Sequence, residues 1–289
     1  VDYYMSLFEN LSPTLNIAHR GARSLAPENT LVAARKAQEH GADMWELDVR
    51  MTCDGELIVI HDTSLKRTSN VRDLFPGRKS WNVHEFSLEE ISRLDFGSWF
   101  NKQDPFGQIA AGVVGESELA SYVGEPAPTL RQALSFTKEQ DWIINVEIKD
   151  LSGTPGHTRI SKQVLALVEE LNMVDTVLIS SFNHEYLLQL RAAHPHIATG
   201  VLVSSPHPHP DALLQRFKAQ AYHPRITPFL PKRDIVSLQR QGFHVNVRTA
   251  NEPKTMLRLV QAGVSGIFTD FPQLLTSVLA NHRGNKKPD

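Results

Sequence analysis

The stretch IAHRGARSLAPENT, residues 17–30, ends an apolar run on His19-Arg20-Gly21. That puts a proton carrier, a fixed cation and a permissive glycine in three consecutive positions. An unperturbed imidazole titrates near ~6.5 and suits acid–base work. The planar guanidinium fork suits phosphate. Further on, Glu46 and Asp48 stand two apart in WELDV, and Glu147 and Lys149 stand two apart in NVEIK. Period two puts the members of each pair on one face of a strand. A single Glu-x-Asp reads most simply as carboxylates facing solvent or paired with Lys or Arg. Two such patterns on strands that end at one mouth would bring three carboxylates into one space, where mutual repulsion raises their pKa values. A divalent cation removes that repulsion, and all-oxygen ligands favour Mg²⁺ or Ca²⁺ over Zn²⁺.

A second histidine is tied to this cluster by register. In DVRMTCDGELIVIHD, Asp54-Gly55 between two β-type runs is a hairpin signal. With a two-residue turn, Cys53 faces Glu56 and Asp48 faces His61. Opposed side chains lie about 4.5–5.5 Å apart at Cβ. A one-residue slip would turn His61 to the other face. The plainer alternative is a hairpin histidine with no role.

The elements that must hold these residues alternate. Eight short apolar runs read as strands: LNIAHRG, ADMWELDV, WIINVEIK, TVLISSF, IATGVLV, AQAYH, FHVNV and GVSGIFTD. Amphipathic stretches lie between them. In ENTLVAARKAQEHG, Leu31, Ala34 and Ala37 recur at helical spacing, with Asn29 or Thr30 as N-cap and Gly41 as a stop. Repeated strand–helix units imply parallel strands covered by helices, and eight of them favour a closed (β/α)8 barrel, an α/β fold with its active site at the strand C-terminal mouth. Residues 63–126 break the rhythm. They are too long for a plain loop and read as a small insertion packed over the mouth of one barrel domain spanning 1–289. Trp99 and Phe100 within it read equally as pocket lining or as its core.

Composition bounds the function classes. The chain has 289 residues, 41% hydrophobic and 21% charged, with net charge −2. No basic stripe points to nucleic acid. Cys53 is the one cysteine, so no internal disulfide forms, which suits a reducing compartment. No apolar run reaches the ~18–20 residues that span a bilayer. The opening VDYYMSLFENLSP lacks the basic start and apolar core of a signal peptide, so a cytoplasmic location is expected. Nothing speaks to oligomeric state. His207 and His209, between prolines, read as a solvated loop. Walker, zincin and nucleophile-elbow motifs are absent.

HRGARSLAPENT, ELDVRMTCDGELIVIHD, NVEIK and GVSGIFTDFP, taken as an ordered set, resemble the glycerophosphodiester phosphodiesterase family. The similarity runs from about Asn16 to Pro272 and includes LDFGSWF in the insertion. The resemblance implies a (β/α)8 barrel that hydrolyses glycerophosphodiesters, a small-molecule substrate class, to glycerol 3-phosphate and an alcohol. It implies His19 and His61 as the catalytic pair and Glu46, Asp48 and Glu147 as ligands to Mg²⁺ or Ca²⁺. It implies Arg20 and Lys149 as phosphate contacts. It also implies attack by the glycerol 2-hydroxyl and passage through a cyclic phosphate. Phospholipase D-like action on lysophospholipids and a non-catalytic phosphoester-binding barrel are the alternatives. One departure stands out. Many members carry Trp-Thr-Val-Asn where this chain has Arg248-Thr249-Ala250-Asn251. Arg248 either binds a second anionic group of the substrate or folds away to solvent.

Overall fold

The computed structural model describes residues 13–227 and 232–284; the N-terminal stretch judged against a signal peptide lies almost wholly outside them. Eight parallel strands close a barrel: β1 (Leu15–His19), β2 (Met44–Met51), β4 (Ile143–Ile148), β5 (Val177–Ser181), β6 (Ala198–Val203), β7 (Ala221–Pro224), β8 (His244–Val247) and β9 (Gly266–Thr269). Pairing of β1 with both β9 and β2 seals it. The ninth strand, β3 (Leu57–Val59), runs antiparallel to β2 as the return arm of a hairpin.

Each barrel strand is followed, directly or after an insertion, by an outer helix. These are α1 (Leu31–Glu39), α6 (Leu130–Glu139), α7 (Ile160–Glu170), α8 (His184–Ala193), α9 (Pro210–Phe217), α10 (Lys232–Arg240), α11 (Pro253–Ala262) and α12 (Pro272–Gly284). Local chemistry sets their ends. Thr30 caps α1 by accepting from the Ala33 amide, Ala33, Ala34 and Ala37 face the core, and Gly41 breaks the helix at φ +76°. Helix α6 carries a capping box between Thr129 and Gln132. No described helix is long and apolar enough to cross a membrane.

The barrel floor is apolar, with Leu15, Ile17, Met44 and Phe268 buried together. One turn nearer the mouth the lining becomes polar, which leaves room for chemistry above a dry base. Residues 63–126 hold four short helices, α2 (Val71–Leu74), α3 (Leu88–Ser92), α4 (Ser98–Gln103) and α5 (Glu116–Tyr122), and one 3₁₀ turn, Val83–Glu85. Their apolar residues Leu65, Val71, Phe86, Ile91 and Phe96 form a second small core on Ile58 and Ile60 of the hairpin arm. Trp99 and Phe100 are buried, with Phe100 edge-on to Tyr122.

The hairpin register differs from expectation by one residue. Met51 pairs with Leu57 and Val49 with Val59, so Ile60, not His61, stands opposite Asp48. The turn has three residues, Cys53-Asp54-Gly55. The Thr52 amide donates to the Glu56 carbonyl, and Gly55 takes φ +91°. The cause is local. The Asp54 carboxylate accepts from the Thr52 hydroxyl at 2.5 Å and from the Leu88 amide at the start of α3. A glycine in the left-handed region after such a turn fits the bulged three-residue loop better than the two-residue one.

Candidate active site

Register brings the site together. His19 at the end of β1 is level with Glu46 on β2, and Asp48 on β2 is level with Glu147 on β4. Glu46, Asp48 and Glu147 are all buried, and one oxygen from each lies within 4.8 Å of the others. Glu46 Oε1 and Asp48 Oδ1 are buried without a hydrogen-bond donor. Burial, then Asp48 and Glu147, push the Glu46 carboxyl well above its ordinary range. Burial alone would raise Asp48 too. Lys149, Arg20 and His61, with a hydrogen bond from Asn29, instead hold it well below that range. Three clustered, buried carboxylates, two of them with an oxygen that meets no hydrogen-bond donor, fit a hard divalent cation.

Two cations already lean on the cluster. Lys149 Nζ lies 2.5 Å from Glu147 Oε1 and 3.3 Å from Asp48 Oδ1. Burial works against its ammonium, but Asp48 and Glu147 outweigh that and raise its pKa. Arg20 takes φ +59°, which turns its amide onto Glu46 Oε2 at 2.8 Å and its Nε toward Asp48 Oδ2 at 3.1 Å. Gly21 follows at φ +79°, where a Cβ would lie 2.6 Å from the Ala33 carbonyl carbon. The sharp bend therefore needs glycine, and it seats the start of α1 against the strand end.

Each histidine has its own carboxylate. His19 Nδ1 lies 2.7 Å from Asp270 Oδ1, at the end of β9. Burial and the neighbouring Arg20 hold the His19 imidazole below its ordinary value despite that partner. His61 Nδ1 lies 2.6 Å from Asp62 Oδ1. Although it misses the position opposite Asp48, His61 still sits close enough for its charge to bear on that carboxylate. Arg50 Nε holds its carbonyl at 2.9 Å. Glu28 links the two sides, accepting from Arg20 at 2.9 Å, Arg23 at 2.8 Å and Arg67 at 2.6 Å. Burial opposes ionisation of Glu28, yet these three guanidiniums pull it down to about 2. Arg67 also donates from Nε to Asp62 at 2.6 Å. A chain of ion pairs thus runs from Arg20 through Glu28 and Arg67 to Asp62, whose carboxylate meets His61 Nδ1.

All eight residues singled out in the sequence line this mouth. Arg248 does not fold away to solvent. Its Nη2 donates to the Val203 carbonyl at 2.7 Å, and its guanidinium stacks 4.5 Å from the Phe182 ring. The sequence reading missed the partners Asp62, Asp270, Glu28 and Asn29. Asn29, weighed only as a cap, is held at φ +60° with its amide on Asp48 Oδ2 at 2.9 Å. Asp62 follows His61 directly, and Asp270 ends the last strand; those placements were the available signals.

Residues 19–274 match the glycerophosphoryl diester phosphodiesterase family. A glycerophosphodiester phosphodiesterase of Caldanaerobacter subterraneus is 33% identical over 92% of this chain and 98% of its own. A mouse glycerophosphoinositol inositolphosphodiesterase is 31% identical over 90% of this chain and 46% of its own. Among solved structures, an Oleispira antarctica phosphodiesterase in complex with the product sn-glycerol-3-phosphate superposes with TM-score 0.74 at 26% identity, over 91% of this chain and 96% of that one. Family match, close relatives and the geometry of the mouth agree: this chain is an enzyme of the glycerophosphodiester phosphodiesterase family.

Proposed function

We propose that the protein hydrolyses glycerophosphodiesters to glycerol 3-phosphate and an alcohol, using His19 and His61 as its acid–base pair. One observation carries the reading. Both Nδ1 atoms are taken by carboxylates, Asp270 and Asp62, beside a buried three-carboxylate cluster. With Nδ1 so engaged, Nε2 of each ring is the nitrogen left to move a proton, which supports the pair as acid and base.

Arg20 and Lys149 bind and orient the phosphate. The depressed pKa of His19 favours its neutral form, so its Nε2 accepts the proton of the glycerol 2-hydroxyl. That oxygen attacks phosphorus, the bond to the alcohol oxygen breaks, and His61 Nε2 protonates the leaving alcohol. Asp62 holds the His61 ring by its Nδ1 and so orients Nε2 for that transfer. Water then opens the cyclic phosphate with the two histidines in reversed roles. Glu46, Asp48 and Glu147 would hold one Mg²⁺ or Ca²⁺, which acidifies the hydroxyl and neutralises phosphoryl charge when bound.

The test is release of glycerol 3-phosphate from glycerophosphocholine and glycerophosphoethanolamine, with Mg²⁺ or Ca²⁺ and with chelator. Metal-dependent release is expected. No release with either ion, or full rate after metal stripping, contradicts the reading.

A further inference from the structure

Arg225 and Arg248 stand side by side just past the ends of β7 and β8, joined by a parallel bridge. Two residues earlier on the same strands, His223 Nε2 meets the Asn246 side-chain amide at 3.1 Å inside the barrel. Side chains alternate along a strand, so Arg225 and Arg248 continue that inward face up to the mouth. Parallel partners also share a face. Two guanidiniums therefore start from the same side of the rim.

No described carboxylate forms an ion pair with either. Arg248 is held by the Val203 carbonyl at 2.7 Å, the His223 carbonyl at 3.4 Å and the Phe182 ring. Arg225 is exposed. Burial lowers the pKa of Arg248, Glu147 and Glu46 across the mouth raise it, and Arg225, the smallest of these influences, lowers it. Adjacent like charges at a half-dry rim carry an electrostatic cost that an anionic ligand would remove. Arg248 is pinned by carbonyls and a ring, so its position does not depend on that ligand. Phe182, 37% exposed, offers an apolar edge beside the pair.

We propose that Arg225 and Arg248 form a subsite for a second anionic group, carboxylate or phosphate, on the alcohol half of the glycerophosphodiester. The inference rests on the hydrolysis reading above and narrows its substrate class. With the scissile phosphate at Arg20 and Lys149, the alcohol would extend across the mouth toward β7 and β8.

Two matched substrate pairs test it. Glycerophosphoserine differs from glycerophosphoethanolamine by one carboxylate, and glycerophosphoinositol 4-phosphate differs from glycerophosphoinositol by one phosphate. The readout is the ratio of kcat/KM within each pair. At least one pair should favour the more anionic member by about 10-fold or more, the worth of one charge-assisted contact; which pair does so tells carboxylate from phosphate. The ratio should collapse toward one in Arg225→Gln and in Arg248→Gln. Ratios near one for both pairs in the wild type, or ratios that survive both substitutions, overturn the subsite while leaving the hydrolysis reading standing. No turnover of any of the four overturns both.

Discussion

On the β1–β2 side of the mouth, Glu28 alone receives three guanidiniums. On the β7–β8 side, Arg225 and Arg248 meet no carboxylate among the described residues. The same residue type serves two ends. On the side where we propose that chemistry occurs, charge is paired in advance, so His19, His61, Arg20 and Lys149 would need little reorganisation when substrate arrives. On the side proposed to select the alcohol, Arg248 is held in place by neutral partners and would be left for a ligand to complete.

The paired side carries the largest expected effects. His19→Ala and His61→Ala should each lower kcat by ~10²–10⁴ with the fold intact. The two should then part. A 4-nitrophenol leaving group needs no proton, so it should restore much of the rate to His61→Ala and little to His19→Ala. Equal rescue of both would break the assignment of base and acid.

Beneath the arginine side, charge is excluded rather than paired. His223 is fully buried, and burial, then Arg248 and His244, hold its imidazole down to about 3. Its folded pKa lies below the unfolded ~6.5, so the unfolded chain binds more protons in that window. Stability should be complete above about pH 6.5 and fall as pH drops toward about 3, by up to ~5 kcal/mol from this residue. Urea unfolding between pH 7.5 and 4.5 measures the slope, and His223→Gln should flatten it. An identical slope in that variant would show that His223 does not set it.

Glu28→Gln sharpens the contrast from the other side. It leaves Arg20, Arg23 and Arg67 without their shared counter-charge and should cost ~3–5 kcal/mol. Arg248→Met loses two carbonyl hydrogen bonds, one of them long, and a ring contact, and should cost only ~1–2 kcal/mol. Thermal or urea denaturation of the two variants decides; similar losses would mean that the two sides do not differ as described.

Much of this was legible in the amino-acid sequence. Strand period two on β2 and β4 put Glu46, Asp48 and Glu147 on one face, and barrel closure brought those faces together. The turn was misread because Asp54-Gly55 signals a two-residue hairpin, while the contacts of the Asp54 carboxylate with the Thr52 hydroxyl and the Leu88 amide, which hold the three-residue turn, are not written in that dipeptide. Partner choice was the least legible. Asp270 is 251 positions from His19, and nothing local tells that Glu28 will meet three arginines at once.

The central claim is that the paired side activates a hydroxyl of the substrate itself. An internal nucleophile has its approach entropy already removed, and effective molarities reach about 10⁵–10⁸ M. The most direct measurement compares turnover of a glycerophosphodiester with that of its 2-deoxy analogue, with binding of the analogue checked by competition. The account predicts that the analogue still binds through Arg20 and Lys149 but turns over orders of magnitude more slowly. It also predicts that the glycerol cyclic phosphate is hydrolysed by the same site. Comparable rates for parent and analogue would show that external water attacks phosphorus directly, and would contradict it.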